Sequence, residues 1–334
     1  MQHQYIERDS GRIVTEQLFG DRMVRLLYHD VRENSAALFR ILTSSRSSHI
    51  LGLVNFDRPV LSKRDFLAGC GIDLSECLDP PELLNTPRKI FERRIRYWEC
   101  RPMPSDTNVI VSPADARVLV GSFRETSLIF LKEKFFSFRE LLGYGNTVWH
   151  DAFIDGDFAV FRLTPDKYHY NHTPVVGEVV DFYSIDGEYH SCNPTAVVTV
   201  ATPYSKNKRV VTVIDTDIPG GTGVGLVAMI EVVALMIGDI VQAYSPEGYG
   251  APRRIEKGMF LLKGRPKSLY RPGSSTDILI FQKKRIDFAG DILDNMRHTG
   301  VSSRFTKGFQ KPLAETDIRV RSLLGTAIKP NVPL

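Results

Sequence analysis

"RVVTVIDTDIPGGTGVGLVAMIEVVAL", residues 209–235, admits two opposed readings. As a phosphate-binding loop, the glycine-rich part 219–225 would need Lys-Ser/Thr behind its last glycine, or a helix opening there. Leu226 and Val227 follow instead, and the run beyond them is β-branched. The segment therefore reads as two strands joined by a flexible hairpin loop. That choice favours antiparallel β-structure over a nucleotide-binding α/β unit.

The same texture extends outward from about residue 105 to 290. "NVIVSP", "ARVLVGSF", "FAVFRL", "GEVVDFYS", "DIVQAY" and "DILIF" are strand-like runs, punctuated by Gly, Pro, Asn and Asp. They predict a β-rich α+β fold with a sandwich or barrel-like core and few helices, 136–142 being one short candidate. Upstream, residues 14–53 place Leu18, Met23, Leu26, Leu27, Val31, Leu38 and Ile41 at helical spacing, interleaved with Arg22, Arg25, Arg32 and Arg40. Such a basic amphipathic helix either packs on its own domain or lies on a membrane. Thr86 and Pro87 suit the N-cap and first position of another short helix. The expected organisation is an N-terminal helical, membrane-associating region over 1–104, a β-rich catalytic domain over 105–290, and a partly ordered tail over 291–334.

With 334 residues, 43% hydrophobic and 25% charged, the chain can bury a sizeable core. A net charge of +4 is too weak to argue for nucleic acid. Local charge is stronger. Arg253, Arg254, Lys257, Lys263, Arg265, Lys267 and Arg271 crowd one stretch, and Arg88, Lys89, Arg93, Arg94, Arg96 and Arg101 another. These are either solvated faces or an attraction to an anionic membrane surface. Cys70, Cys77, Cys100 and Cys192 form no CxxC pair, which argues against a thiolate metal site and for a reducing compartment. The N-terminal stretch lacks the apolar core of a signal peptide, and no run approaches the roughly 18 apolar residues of a membrane span. A cytoplasmic or peripheral location is expected.

Three short motifs carry candidate chemistry. "YHYNH" sets His169 and His172 three apart, as turn residues, as a metal pair on a helix, or as general acid–base groups. "SPADARV" puts Asp115 in a turn, where it is structural or orients a histidine. "LYRPGSSTDILIF", residues 269–281, enters a strand through Pro-Gly and carries a surplus serine. Together they offer the order Asp…His…Ser, and a serine hydroxyl is a poor nucleophile until a base takes its proton.

These motifs resemble the phosphatidylserine decarboxylase proenzymes, a family of self-processing pyruvoyl enzymes. The resemblance runs over roughly residues 86–285, through "VSPADARV", "FSFRELLG", "FAVFRLTPDKYHYNHTPVVGEV", "CNPTAV", "NKRVVTVIDT", "VAMIEVVALMIGDI" and "RPGSSTDILIF". "RLTPDKYHYNHTPVVG" is similar to the family's Arg-Leu-x-Pro-x-x-Tyr-His-x-x-His-x-Pro-x-x-Gly segment. It implies that a serine attacks the carbonyl before it, turning the peptide bond into an ester. The ester eliminates, and the new N-terminus hydrolyses to a pyruvoyl group with loss of ammonia. Carried over, the cut falls between Gly273 and Ser274, leaving a large chain and a small chain of one proenzyme, with Ser274 becoming the pyruvoyl group. Glycine lacks Cβ, so the backbone there can bend. His172 would be the base for Ser274, Asp115 would hold its tautomer, and His169 would serve the decarboxylation. The pyruvoyl carbonyl forms a Schiff base with the substrate amine and withdraws electrons as carbon dioxide leaves. No metal is implied.

The chain departs from the family pattern in places. Asp115-Ala116 stands where Asp-Gly is usual, and "RPKSLY" replaces an acidic residue and a glycine upstream of the cut. Counting forward from Tyr270 favours Ser274, whereas counting back from Phe281 favours Ser275; Gly273 directly before Ser274 decides for Ser274. The implied substrate is phosphatidylserine on an anionic membrane, approached from the cytoplasmic side. A homo-oligomer is compatible with this. The alternatives are a decarboxylase of a soluble amino acid and a β-rich binding module that has lost processing.

Overall fold

The computed structural model describes residues 2–18, 21–44, 47, 71–124, 136–200, 202–235, 239–273 and 275–329. Ser274 and Cys70 lie outside the described residues, as do most of residues 45–53 of the expected first helix.

Ten strands form one open sheet. Their order is Phe260–Leu261, Gly177–Ile185, Arg209–Asp215, Leu226–Val233, Ser275–Phe281, Asp157–Leu163, Ala116–Ser122, Glu315–Ile318, Gln4–Glu7 and Ile13–Thr15. Every pairing is antiparallel except that between Gln4–Glu7 and Glu315–Ile318. The fold is α+β and mostly sheet, and the sheet does not close into a barrel. The glycine-rich segment is the expected hairpin: Asp215 pairs with Leu226, and residues 216–225 loop between them. Ser275–Phe281 lies inside the sheet, with Leu226–Val233 on one side and Asp157–Leu163 on the other, and all seven of its residues are buried. Its unalternating "DILIF" run reflects cover on both faces. Helical segments supply Leu141, Leu142, Phe153, Val197, Ile292 and Phe305 to the same core.

Two smaller sheets flank the large one. Tyr170–His172, Pro266–Tyr270 and Ile240–Gln242 form the first; Val109–Val111, Leu323–Ala327 and Ile286–Phe288 form the second. The chain thus leaves the first small sheet at Tyr270 and enters the large sheet at Ser275. Ser275 opens the strand that follows this change of sheet.

Strands from both ends of the chain belong to the large sheet. Gln4–Glu7 and Ile13–Thr15 come from the region expected to be helical, and Glu315–Ile318 from the expected tail. The boundaries near 105 and 290 therefore do not divide the sheet. A buried ion cluster fastens these ends: Arg162 bonds Glu16 at 2.7 Å and Glu315 at 2.6 Å, and His3 lies 2.7 Å from Glu315. Short runs such as "QYIE" carry too little pattern to announce an edge strand.

The amphipathic stretch is helical over 21–34, π-helical in the middle, and breaks at Ser35, which caps Ala36–Leu42 through Leu38 N–H. Val24, Tyr28 and Phe39 pack inward, while Met23, Leu26, Leu38 and Ile41 are exposed. Thr86 caps Pro87–Phe91 as expected, with its hydroxyl accepting from Lys89 N–H at 3.2 Å.

Candidate active site

Asp115 sits in the tight link between Val109–Val111 and Ala116–Ser122. The Ser112 hydroxyl donates to the Ala114 carbonyl at 2.8 Å, and the backbone N–H of His172 donates to the Pro113 carbonyl at 2.7 Å. The aspartate turn and the histidine strand are thereby joined through backbone. The Asp115 carboxylate itself bonds neither histidine. It accepts from Arg101 Nη2 at 2.7 Å, from Arg101 Nε at 3.0 Å and from Val320 N–H at 2.8 Å. Arg101 also grips Glu76 at 2.8 and 2.9 Å. Burial opposes ionisation of Asp115, but the guanidinium more than offsets it, and the carboxyl titrates below its ordinary value. The expectation that Asp115 sets the His172 tautomer by a hydrogen bond is therefore corrected: a stronger, charged partner has taken its oxygens.

His172 is held instead by Gly264 and Tyr168. Its Nδ1 lies 3.0 Å from the Gly264 carbonyl and its Nε2 3.0 Å from the Tyr168 hydroxyl. A carbonyl only accepts, so Nδ1 carries a proton. Burial lowers the ring to about 3, so it is neutral at physiological pH and Nε2 accepts from Tyr168. Tyr168 in turn lies 2.7 Å from the Tyr249 hydroxyl, and Tyr97 packs edge-on against the imidazole.

His169 contrasts with its neighbour. It is fully buried, and its ring stacks on Phe91 with centroids 3.5 Å apart; neither ring nitrogen makes a well-formed hydrogen bond among the described residues, although the Lys167 backbone lies close enough to favour the protonated ring. Burial, then the nearby Arg93, lowers it to about 3. Its carbonyl accepts from Tyr270 N–H at 3.0 Å, which ties the histidine to the segment leading into the serine pair. Because Tyr170–His172 is a strand, the two histidines do not share a helix face, and the metal-pair reading lapses.

Gly273 adopts a φ of +151°, a conformation that side-chain-bearing residues rarely take. Ser275 is buried, and its hydroxyl has no hydrogen-bond partner among the described residues. An unpaired hydroxyl is costly in a core, which makes this position notable. Thr276 beside it donates to Cys192 Sγ at 3.0 Å.

Several contributors escaped sequence reasoning. Tyr168 stood inside the quoted motif, four residues before His172. Arg101 was counted among surface cations, yet it and Arg93 are buried and bonded to protein; Lys263 and Lys267 are buried likewise. Gly264 acts through its carbonyl, for which no side chain signals. Val320 lies in the expected tail.

The model of the phosphatidylserine decarboxylase family matches residues 88–300. That span holds both histidines, Asp115 and the serine pair. The chain belongs to the phosphatidylserine decarboxylase family. A phosphatidylserine decarboxylase proenzyme of Fusobacterium nucleatum is 30% identical over 298 residues, covering 88% of this chain and 92% of the relative. One from Chlamydia trachomatis is 28% identical over 291 residues, covering 86% and 90%. Phosphatidylserine decarboxylase proenzyme 3 of Schizosaccharomyces pombe is 25% identical over 333 residues, covering 98% of this chain but 31% of that longer protein.

Proposed function

We propose that this chain is a self-processing phosphatidylserine decarboxylase, a carboxy-lyase that yields phosphatidylethanolamine and carbon dioxide. The observation that carries the reading is the coincidence at the sheet change. A glycine in a backbone conformation suited to bending and a buried serine hydroxyl with no partner among the described residues stand there, and the Tyr270 N–H ties the buried His169 to the same segment. These features fit a pyruvoyl group made from the chain's own serine. Such a group supplies an electron-withdrawing carbonyl for a primary-amine substrate.

The remaining chemistry belongs to the side chains. His172, neutral and with its Nε2 lone pair, is the base for the processing serine, with Tyr168 as the neighbour that must yield the lone pair. Asp115 acts by charge, favouring protonation of both rings without bonding either. His169, buried against Phe91, is the proton donor for decarboxylation. Pairing of Ser275–Phe281 with two neighbouring strands retains the new chain end after the cut.

The first expectation sets the cut between Gly273 and Ser274. The unpartnered Ser275 hydroxyl favours the adjacent register, between Ser274 and Ser275. Intact-mass analysis of the small chain distinguishes 274–334 from 275–334 by one serine. Ser274→Ala and Ser275→Ala then identify the nucleophile, since only the true one abolishes cleavage. A single full-length species in wild type would sink the reading.

The membrane side rests on the exposed Met23, Leu26, Leu38 and Ile41, flanked by exposed Arg22, Arg25 and Arg40. Among the described residues, no helix is long and apolar enough to cross a membrane. The face suits peripheral attachment to an anionic surface on the cytoplasmic side. Turnover of phosphatidylserine in vesicles, set against free amino acids, tests the substrate; activity on a soluble amino acid alone would reject the lipid.

A further inference from the structure

Asp277 directly precedes the apolar run of the Ser275–Phe281 strand. Across one side of the ladder it faces Glu231, and across the other Phe161. Both carboxyl groups are fully buried. Their surroundings differ.

Glu231 is surrounded by donors. Its Oε2 accepts from Lys267 Nζ at 2.7 Å and from Gln242 Nε2 at 3.0 Å. Its Oε1 accepts from Asn171 Nδ2 at 3.2 Å and from the Ser268 hydroxyl. An ammonium and three neutral donors hold it as a carboxylate. Among the described residues the Asp277 carboxyl has one hydrogen bond, with the Tyr270 hydroxyl 2.7 Å from Oδ1, and Oδ2 has no partner. The Tyr270 oxygen also accepts from Val232 N–H at 3.1 Å and lies 3.0 Å from the Thr276 carbonyl oxygen. A phenol has one proton, and a carbonyl oxygen has none to give. The hydroxyl donates toward Asp277 Oδ1 and the Thr276 oxygen with a single proton, so it serves one of them at a time; a proton on Asp277 lets both contacts be bonded together. Burial and the facing Glu231 carboxylate raise the Asp277 carboxyl in the same direction.

We propose that Asp277 is held as a neutral carboxylic acid and, with Tyr270, forms a clamp across the self-cleavage site that positions the scissile peptide. This rests on the self-cleavage reading above. Tyr270 lies upstream of the cut, and Thr276 and Asp277 lie downstream, whichever serine is used. The clamp therefore closes the bend before cleavage and joins large chain to small chain after it. The backbone N–H of Tyr270 also holds the His169 carbonyl. One residue thus fixes His169 on its backbone side and the downstream strand on its side-chain side. Tyr270 and Asp277 are positioning residues.

The groups facing Asp277 are Glu231 and, from Pro266–Tyr270, Lys267 and Tyr270; Phe161 closes the other side. Lys267 is already committed to Glu231 and Gln242. Ionised Asp277 would draw the Tyr270 proton to itself, release the Thr276 carbonyl and face Glu231 as a second buried anion. Self-cleavage should therefore slow as pH rises through Asp277 ionisation.

The test follows cleavage of freshly translated full-length chain on gels, from about pH 6 to about pH 10. Wild type should slow toward alkaline pH. Asp277→Asn, whose amide can still donate to Tyr270, should cleave at a wild-type rate near neutrality and lose the alkaline fall. Tyr270→Phe should slow cleavage about tenfold or more at every pH while remaining folded by circular dichroism. Identical pH profiles for wild type and Asp277→Asn, or wild-type speed in Tyr270→Phe, would overturn the clamp while leaving self-cleavage intact. A wild-type chain that never cleaves rejects the self-cleavage reading and the clamp's positioning role with it. Difference infrared spectra of wild type against Asp277→Asn read the proton independently of activity. A missing protonated-carboxyl band overturns the assignment in every case.

Discussion

The two histidines of "YHYNH" stand three residues apart in equal burial, yet one ring is hydrogen-bonded at both nitrogens and the other makes no well-formed hydrogen bond among the described residues. His172 has Gly264 on one nitrogen and Tyr168 on the other; His169 has an aromatic face. The same division runs through the whole site. On the Asp115 side, Arg101 and the Val320 N–H surround the carboxylate with donors, and Glu76 holds Arg101 from its other side. On the serine side, Ser275 and Asp277 each leave an oxygen unpartnered, as His169 leaves its nitrogens. Satisfied groups hold a geometry. Buried unsatisfied groups cost stability, and a fold retains them where something else will use them.

The sharpest way to break this contrast is to remove a partner on the satisfied side. Arg101→Met would leave Asp115 as a buried, uncompensated anion, costing about 3–5 kcal/mol in denaturant unfolding. Adding Asp115→Asn should recover much of that loss.

Acid probes both histidines at once. Each titrates near 3 in the fold, below its unfolded value. Below about pH 6.5 the unfolded chain therefore takes up protons that the fold refuses. Stability should fall as pH drops from about 6.5 toward about 3, by about 1.4 kcal/mol per pH unit for each histidine. Unfolding at a series of pH values measures the slope, and His169→Leu should remove one histidine's share of it.

The smallest effects separate the pair most finely. At neutral pH, Tyr168→Phe should cost about 1–3 kcal/mol, because it strands the His172 lone pair. His169→Leu strands nothing; it should leave stability equal or higher and processing intact, while abolishing decarboxylation. A large neutral-pH loss in His169→Leu would contradict the absence of a well-formed hydrogen bond at its nitrogens.

Much of this site was legible in the chain. The "YHYNH" and "SPADARV" motifs named three of its residues, and the quoted serine stretch located the bend. The partnership of Asp115 was misread because nothing local links it to Arg101. The choice between Ser274 and Ser275 turned on counting from either end of a short segment. Asp277 carries no sequence signal because an acid beside an apolar run shows no hydrogen bonds until its neighbours are known.

By itself the sequence determined the antiparallel β-texture, the hairpin at 216–225, the Thr86 cap and the chain order of Asp115, the histidines and the serine pair. Those are products of residue spacing, turn chemistry and side-chain type, which act over a few residues. Tertiary structure alone decided that both chain ends enter the sheet, that Gly264 and Tyr168 hold His172, and that Tyr270 bridges the serine pair. Those partners converge from distant parts of the chain: Val320 reaches Asp115 across 205 positions. Their meeting is set by how sheets pack and where burial leaves a donor facing an acceptor, which no local pattern encodes.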